Sequence, residues 1–246
     1  MVGDTVRAPL PGGRSAELTV DRGLEAHVRA ELERYEVPYA GLVAMDPRSG
    51  RVLAYVSHSS ADRTPPDLAI DTAAPAASVF KIVTASALLD SGVEPSTRVC
   101  YGGGARSLAL RDLADDPARD NRCATLSEAM GSSINSVFAK LADRHLDQRT
   151  IARYGSAFAF GEGLPFDVPT PAGSLTVPTE QLERARTAAG FWHSQLSPLH
   201  GVLIAATIAN GGVMPRAMLV DRVLDADGGL VHRFTPETYR RVVSAA

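Results

Sequence analysis

Strand signals stand at both ends of this chain and helical signals between them, and that separation restricts the fold more than any other feature. GLVAMD, the turn DPRSG and RVLAYVSHS read as a β-hairpin with strands at 41–46 and 51–58. Residues 217–225 and 229–234 read as a second hairpin across DADGG. Between them the apolar spacing is helical. Asp21 can cap a helix running to about Tyr35, with Leu24, Val28 and Leu32 on one face. Further helices are expected at 78–90, 125–130, 135–146, 148–158, 179–190 and 197–209, the last stopped by Asn210-Gly211-Gly212. Residues 1–18 read as a tail or linker, 59–76 as a polar loop, 95–123 as irregular and 161–178 as extended. A sheet must therefore be assembled from distant pieces around a helical middle, which predicts an α+β fold.

The composition is that of a globular chain. The 246 residues are 45% apolar and 22% charged, enough for one large domain. A net charge of -3 without a Lys/Arg block points away from nucleic acid and anionic membranes, and no apolar run is long enough for a transmembrane helix. Two cysteines are too few for a disulfide scaffold or a four-thiolate zinc site. Of the 25 basic residues only Lys81 and Lys140 are lysines. Arginine does not deprotonate in a protein, whereas a desolvated lysine can act as a base, so each lysine calls for a reason.

Ser78-Val79-Phe80-Lys81 places a hydroxyl and an amine at i and i+3, on one face of a helix. A serine is a weak nucleophile until a base takes its proton, and Lys81 can be that base if burial lowers its pKa. The helix start adds free backbone N–H groups that favour developing negative charge. Alone, the pattern equally fits a helix-capping serine beside a surface lysine. Ser133-Ile134-Asn135, 55 residues downstream of Ser78, adds a second hydroxyl for proton relay and an amide able to hold a substrate carbonyl or amide. Serine and asparagine are also ordinary helix caps.

Taken in order, AGLVAMDPRSGRVLAYVS, ASVFKIVTASALLDSGV, LSEAMGSSINSVFAKLA and LSPLHGVLIAATIANGGVMPRAML resemble the penicillin-binding protein transpeptidase domain across about residues 19–246. The resemblance implies a β-lactamase/transpeptidase-like fold, with an antiparallel sheet and a helical subdomain. It implies acyl transfer without a cofactor. Ser78 would form the acyl-enzyme with a peptidoglycan stem peptide ending in D-Ala-D-Ala, or with a β-lactam. Lys81 would be the general base, Ser133 would pass protons to the leaving group, and Asn135 would orient the substrate amide. It also implies a cell-envelope location and, as further partners, other cell-wall synthesis proteins. A serine β-lactamase and a non-catalytic degenerate domain with a binding or scaffolding role are the alternatives.

The sequence departs from the family in three places. No lysine follows Lys140, so the third motif, Lys-Thr-Gly, is absent. The nearest substitute, Arg48-Ser49-Gly50, lies in the first hairpin turn. The family's later sheet strands are missing with it, so the chain reads as C-terminally incomplete or as a fragment, with one edge of the 41–58 hairpin left unpaired. Ala76-Ala77 stands where many relatives carry Pro-Gly before the serine. An exported domain would also allow a Cys100–Cys123 disulfide. No metal is expected: His27, His58, His145, His193, His200 and His232 have no ligand spacing, and the Asp112, Asp115, Asp116, Asp120 group reads as a solvated loop. Lys140 reads as structural, and Trp192 as a half-buried packing aromatic rather than a groove residue.

Overall fold

The computed structural model describes residues 5–104 and 106–244. In chain order, the N-terminal part holds β1 (Arg7–Pro9), β2 (Ser15–Leu18), α1 (Arg22–Arg34), β3 (Ala40–Met45) and β4 (Val52–His58). The middle holds α2 (Phe80–Asp90), β5 (Arg98–Tyr101), β6 (Arg122–Thr125), α3 (Leu126–Gly131), α4 (Asn135–His145), α5 (Gln148–Ala157), β7 (Ser174–Leu175), α6 (Gln181–Ala188) and β8 (Ser194–Gln195). The C-terminal part holds α7 (Pro198–Ala209), β9 (Val213–Pro215), β10 (Val220–Leu224), β11 (Leu230–Arg233) and β12 (Thr238–Arg241). Two compact units result. One comprises Met1–Asp71, Gly163–Pro171 and Ser197–Ala246; the other comprises Thr72–Glu162 and Ala172–Leu196.

In the first unit, distant segments do meet in a sheet. Its antiparallel order is β1-β2-β10-β11, so β2 pairs with a strand some 200 residues away in the chain. The tail reading of residues 1–18 is corrected for the described residues, because two short strands lie there. They lack alternation because they are brief, and Ala16 and Glu17 are buried in succession. Glu17 tolerates burial because Arg222 and Arg7 both bond its carboxylate, and Arg222 above all holds its pKa below the usual range. The β3–β4 hairpin forms close to its expected bounds. Val52, Ala54 and Val56 are fully buried on one face of β4, in the period-2 alternation of a strand covered on that side. Gly41 is required in β3, since a Cβ there would lie 2.1 Å from the Leu68 carbonyl oxygen.

The second unit is a helical bundle with two small antiparallel pairs. Helix α2 buries Phe80, Lys81, Val83, Thr84, Ala87 and Leu88 and packs against α4 and α5. Phe80 meets Phe160 edge to face, with centroids 5.5 Å apart. The stretch read as irregular, 95–123, is bounded by β5 and β6. These pair in register so that Cys100 faces Cys123, and the two are disulfide-bonded. The turn-rich intervening sequence hid both strands, each only four residues long. The acidic loop is likewise not simply solvated. Asp120 is nearly buried and pairs with the fully buried Lys140, which also donates to the Cys100 carbonyl at 2.9 Å and to Asp115 at 3.3 Å. Lys140 thereby ties α4 to the β5–β6 pair.

Among the described residues no helix is long and apolar enough to cross a membrane, and no group of three or more His, Cys, Asp or Glu is placed to hold a metal ion.

The cross-link closes a long loop of the unfolded chain. Replacing both cysteines by serine is expected to lower the unfolding free energy by about 3 kcal/mol in urea titrations. A loss under about 0.5 kcal/mol would mean that Lys140 and its acidic partners hold the β5–β6 pair unaided.

Candidate active site

Ser78, Lys81 and Ser133 come together in the second unit as a triangle of polar atoms. The Lys81 Nζ lies 2.8 Å from the Ser78 Oγ and 3.2 Å from the Ser133 Oγ, and the two hydroxyl oxygens are 2.8 Å apart. The triangle has a dry corner and two wet ones. Lys81 is 1% exposed, whereas Ser78 and Ser133 are exposed. Burial disfavours the ammonium form and lowers the Lys81 pKa from 10.5 to about 8. The Phe138 ring of α4, 5.8 Å from Nζ, forms part of that apolar surrounding. An amine with this pKa is neutral at pH 7 in about one molecule in ten, against about one in a few thousand for an ordinary lysine. Such an amine can accept a proton from a hydroxyl 2.8 Å away.

The local backbone explains how the two hydroxyls reach the amine. Ser78 lies in a 3-10 turn, Ala77–Val79, that precedes α2, so the expected helix at 78 begins as a tighter coil. Residues at i and i+3 eclipse there, which draws Ser78 over Lys81. Ala77 adopts a φ of 47°, in the left-handed region. Glycine is the residue that costs least there, so the alanine carries a steric cost of about 1–2 kcal/mol.

Ser133 is the second left-handed residue, with φ 53°. It closes α3 in a Schellman motif: the Ile134 N–H donates to the Ala129 carbonyl at 2.9 Å, and the Ser133 N–H to that of Met130 at 3.3 Å. The position usually held by glycine carries the hydroxyl that meets Lys81. Asn135 is half-buried at the start of α4, two residues on. The next residue, Ser136, is buried and donates to the Gly103 carbonyl, fastening the 102–104 loop to this helix start. Arg48-Ser49-Gly50 is a turn in the first unit, where Ser49 bonds Asp46 and Gly50 takes φ 74°.

One element of the site is not evident from the motifs. The segment 190–195 runs beside the nucleophile's backbone. A Cβ on Gly190, which has φ 87°, would lie 2.2 Å from the Ala77 carbonyl oxygen and 3.3 Å from the Ser78 Cα. The Ala76 N–H donates to the Ser194 carbonyl at 3.0 Å, and Pro75 bridges Gln195. The only sequence signal was the single glycine at the expected end of α6. Trp192 in this segment is 51% exposed and packs edge to face with Phe191, in keeping with its reading as a half-buried packing aromatic.

Comparison with known proteins gives the family and the fold. Residues 40–246 match the penicillin binding protein transpeptidase domain, and the chain belongs to that family. It is 29% identical over 238 residues to the peptidoglycan D,D-transpeptidase PbpA of Mycolicibacterium smegmatis, with 82% of this chain and 47% of that protein covered. PbpA of Mycobacterium tuberculosis H37Rv is 28% identical over the same length. The chain thus spans about half the length of the curated relatives it matches. Among solved structures, penicillin-binding protein A from M. tuberculosis superposes with a TM-score of 0.79 at 22% identity, covering 94% of this chain and 60% of that one. The D,D-transpeptidase domain of a peptidoglycan glycosyltransferase from Eggerthella lenta gives 0.77 at 24% identity, covering 97% and 65%. The fold is therefore that of the penicillin-binding transpeptidase domains.

Two substitutions test the backbone argument. Ala77→Gly is expected to raise the unfolding free energy by about 0.5–1 kcal/mol, because relief of the left-handed alanine exceeds the added freedom of the unfolded chain. Gly190→Ala is expected to cost about 2 kcal/mol or more, from the positive φ and the carbonyl contact together. Urea titration reads both, and equal effects of the same sign would contradict the assignment of strain.

Proposed function

We propose that this chain carries the acyl-transfer chemistry of a peptidoglycan D,D-transpeptidase of the cell envelope, with Ser78 as the nucleophile. The observation that carries the reading is the buried Lys81 amine held within hydrogen-bond distance of two exposed hydroxyls. In this reading the neutral Lys81 accepts the Ser78 proton as Oγ attacks the carbonyl of the penultimate residue in a D-Ala-D-Ala stem peptide. The resulting Lys81 ammonium returns a proton through Ser133 to the departing D-Ala amine. An acceptor amine then attacks the ester by the reverse path and releases Ser78. Asn135, at the start of α4, orients the substrate amide. A β-lactam meets the same nucleophile: its ring C–N bond opens, the nitrogen takes the proton, and every atom stays on the serine ester. The mycobacterial D,D-transpeptidases among its relatives, and the ceftriaxone, imipenem and penicillin G acyl-enzyme complexes of penicillin-binding protein A from M. tuberculosis, support this reading.

The sequence contains no Lys-Thr-Gly, so these residues are assigned the nucleophile, base and relay, and none is assigned to the substrate carboxylate. A second reading is a domain that binds within the cell-wall machinery without turning over.

Intact-mass analysis after incubation with penicillin G separates the two. The wild-type chain is expected to gain the mass of one whole penicillin, and Ser78→Ala to gain nothing. A wild type that stays unmodified supports the binding-domain reading instead. The acylation rate is expected to rise about tenfold per pH unit below pH 8 and to flatten above it, because the active form is the deprotonated amine of a group with pKa about 8. A rate that does not change between pH 6 and 9 would remove Lys81 as the base.

A further inference from the structure

Trp192 is the chain's only tryptophan, it is half exposed, and it is held in place. Its indole N–H donates to the Glu183 Oε2 at 2.9 Å, and the same oxygen bonds the His193 Nε2 at 2.8 Å. Arg186 bonds the other Glu183 oxygen at 2.5 Å, and its guanidinium carbon sits 5.5 Å from the Trp192 ring centroid. Arg186 is itself anchored on the Leu108 carbonyl, through Nε at 3.1 Å and Nη2 at 2.5 Å. Phe191 meets the indole edge to face at 5.5 Å. His193 adopts a φ of 72°, a costly conformation for a non-glycine residue that these bonds retain. The hydrogen bonds from His193 and Trp192, with help from Arg186, hold Glu183 ionised, with a pKa of about 2.

A half-exposed ring held in one orientation offers an apolar surface that a ligand can cover at little ordering cost. Its place in the chain says where that something lies. Gly190 abuts Ala77 and Ser78, and Ser194 bonds Ala76, so the segment is fastened at both ends to the residues flanking the nucleophile. Two residues of chain, at most about 7 Å when extended, separate Trp192 from either fastening.

We propose that Trp192, positioned by Glu183 and Arg186, is a specificity-determining residue that takes a flat apolar group carried by the acyl donor at Ser78. The inference rests on the acyl-enzyme reading above. Its ligand chemistry is an aryl or comparably flat substituent, as on the side chain of penicillin G. The bare nucleus, 6-aminopenicillanic acid, has the same reacting ring without that group.

Two measurements on the same chain test it. In Ser78→Ala, where no ester forms, penicillin G is expected to change the emission of the single tryptophan, and 6-aminopenicillanic acid to leave it unchanged. In the wild type, the ratio of Ser78 acylation rates with penicillin G and with 6-aminopenicillanic acid is measured by intact mass. Trp192→Ala is expected to lower that ratio about tenfold, the size of one good aromatic contact, and Trp192→Phe to keep most of it. An unchanged ratio in Trp192→Ala with an acylating wild type overturns the inference and leaves the acyl-enzyme reading standing. If the wild type is acylated by neither compound, the acyl-enzyme reading fails on its own account. The emission change in Ser78→Ala then decides: a response to penicillin G alone supports the aromatic contact, and no response overturns it.

Discussion

The candidate site depends on one buried amine. Lys81 is among the largest fully buried side chains of the chain, yet its Nζ ends between two exposed hydroxyls. Each half of that arrangement needs the other. Without burial the amine would be an ordinary ammonium ion and could only donate. Without the two hydroxyls, a buried polar head would lack the partners that make its desolvation tolerable. Helices α2 and α4 supply the burial, and the turns before each of them supply the hydroxyls. The chain's other lysine solves the same problem differently. Lys140 is as deeply buried, but it pairs with Asp120 and Asp115 and so braces α4 rather than acting as a base. Hydrogen bonding to Lys140 depresses the Asp120 pKa, as a stable ion pair requires.

Placement of the hydroxyls has a conformational cost. Ala77 and Ser133 both lie in the left-handed region, one immediately before the proposed nucleophile and the other at the proposed relay. Strain of this kind persists where the surroundings over-determine it. The Schellman closure of α3 fixes Ser133. The 190–194 segment, bonded to Ala76 and packed on Ala77, fixes the nucleophile turn. The disulfide and Lys140 hold the β5–β6 pair against α4, and the Ser136 bond to Gly103 ties the adjoining loop to the same helix. The motifs that carry chemistry are therefore short, while the structure that aims them extends through most of the second unit.

Much of this was legible in the sequence where periodicity is strong. The β3–β4 hairpin, α1 with its Asp21 cap and the helices from α2 to α7 fall within a few residues of their expected bounds, because each has a clear apolar pattern or cap. The Ser78 and Lys81 pair stood out by its spacing in a lysine-poor chain, and Ser133 was singled out with it through the resemblance to the transpeptidase family. The strands β1, β2, β5 and β6 were missed, since three or four residues carry too little alternation to stand out and their pairing partners are remote. The role of Gly190 was missed for a related reason: it follows from a contact with residues more than 100 positions earlier, and nothing local encodes it. The acidic loop misled because a carboxylate beside a buried lysine is indistinguishable, in one sequence, from one facing water.

The central claim is that burial makes Lys81 a base near neutral pH. With only two lysines in the chain, isotope labelling of lysine side chains gives two NMR signals, and the one lost in Lys81→Met belongs to Lys81. The account predicts that this signal titrates with a midpoint near 8. A midpoint at the ordinary lysine value of about 10.4 would contradict it.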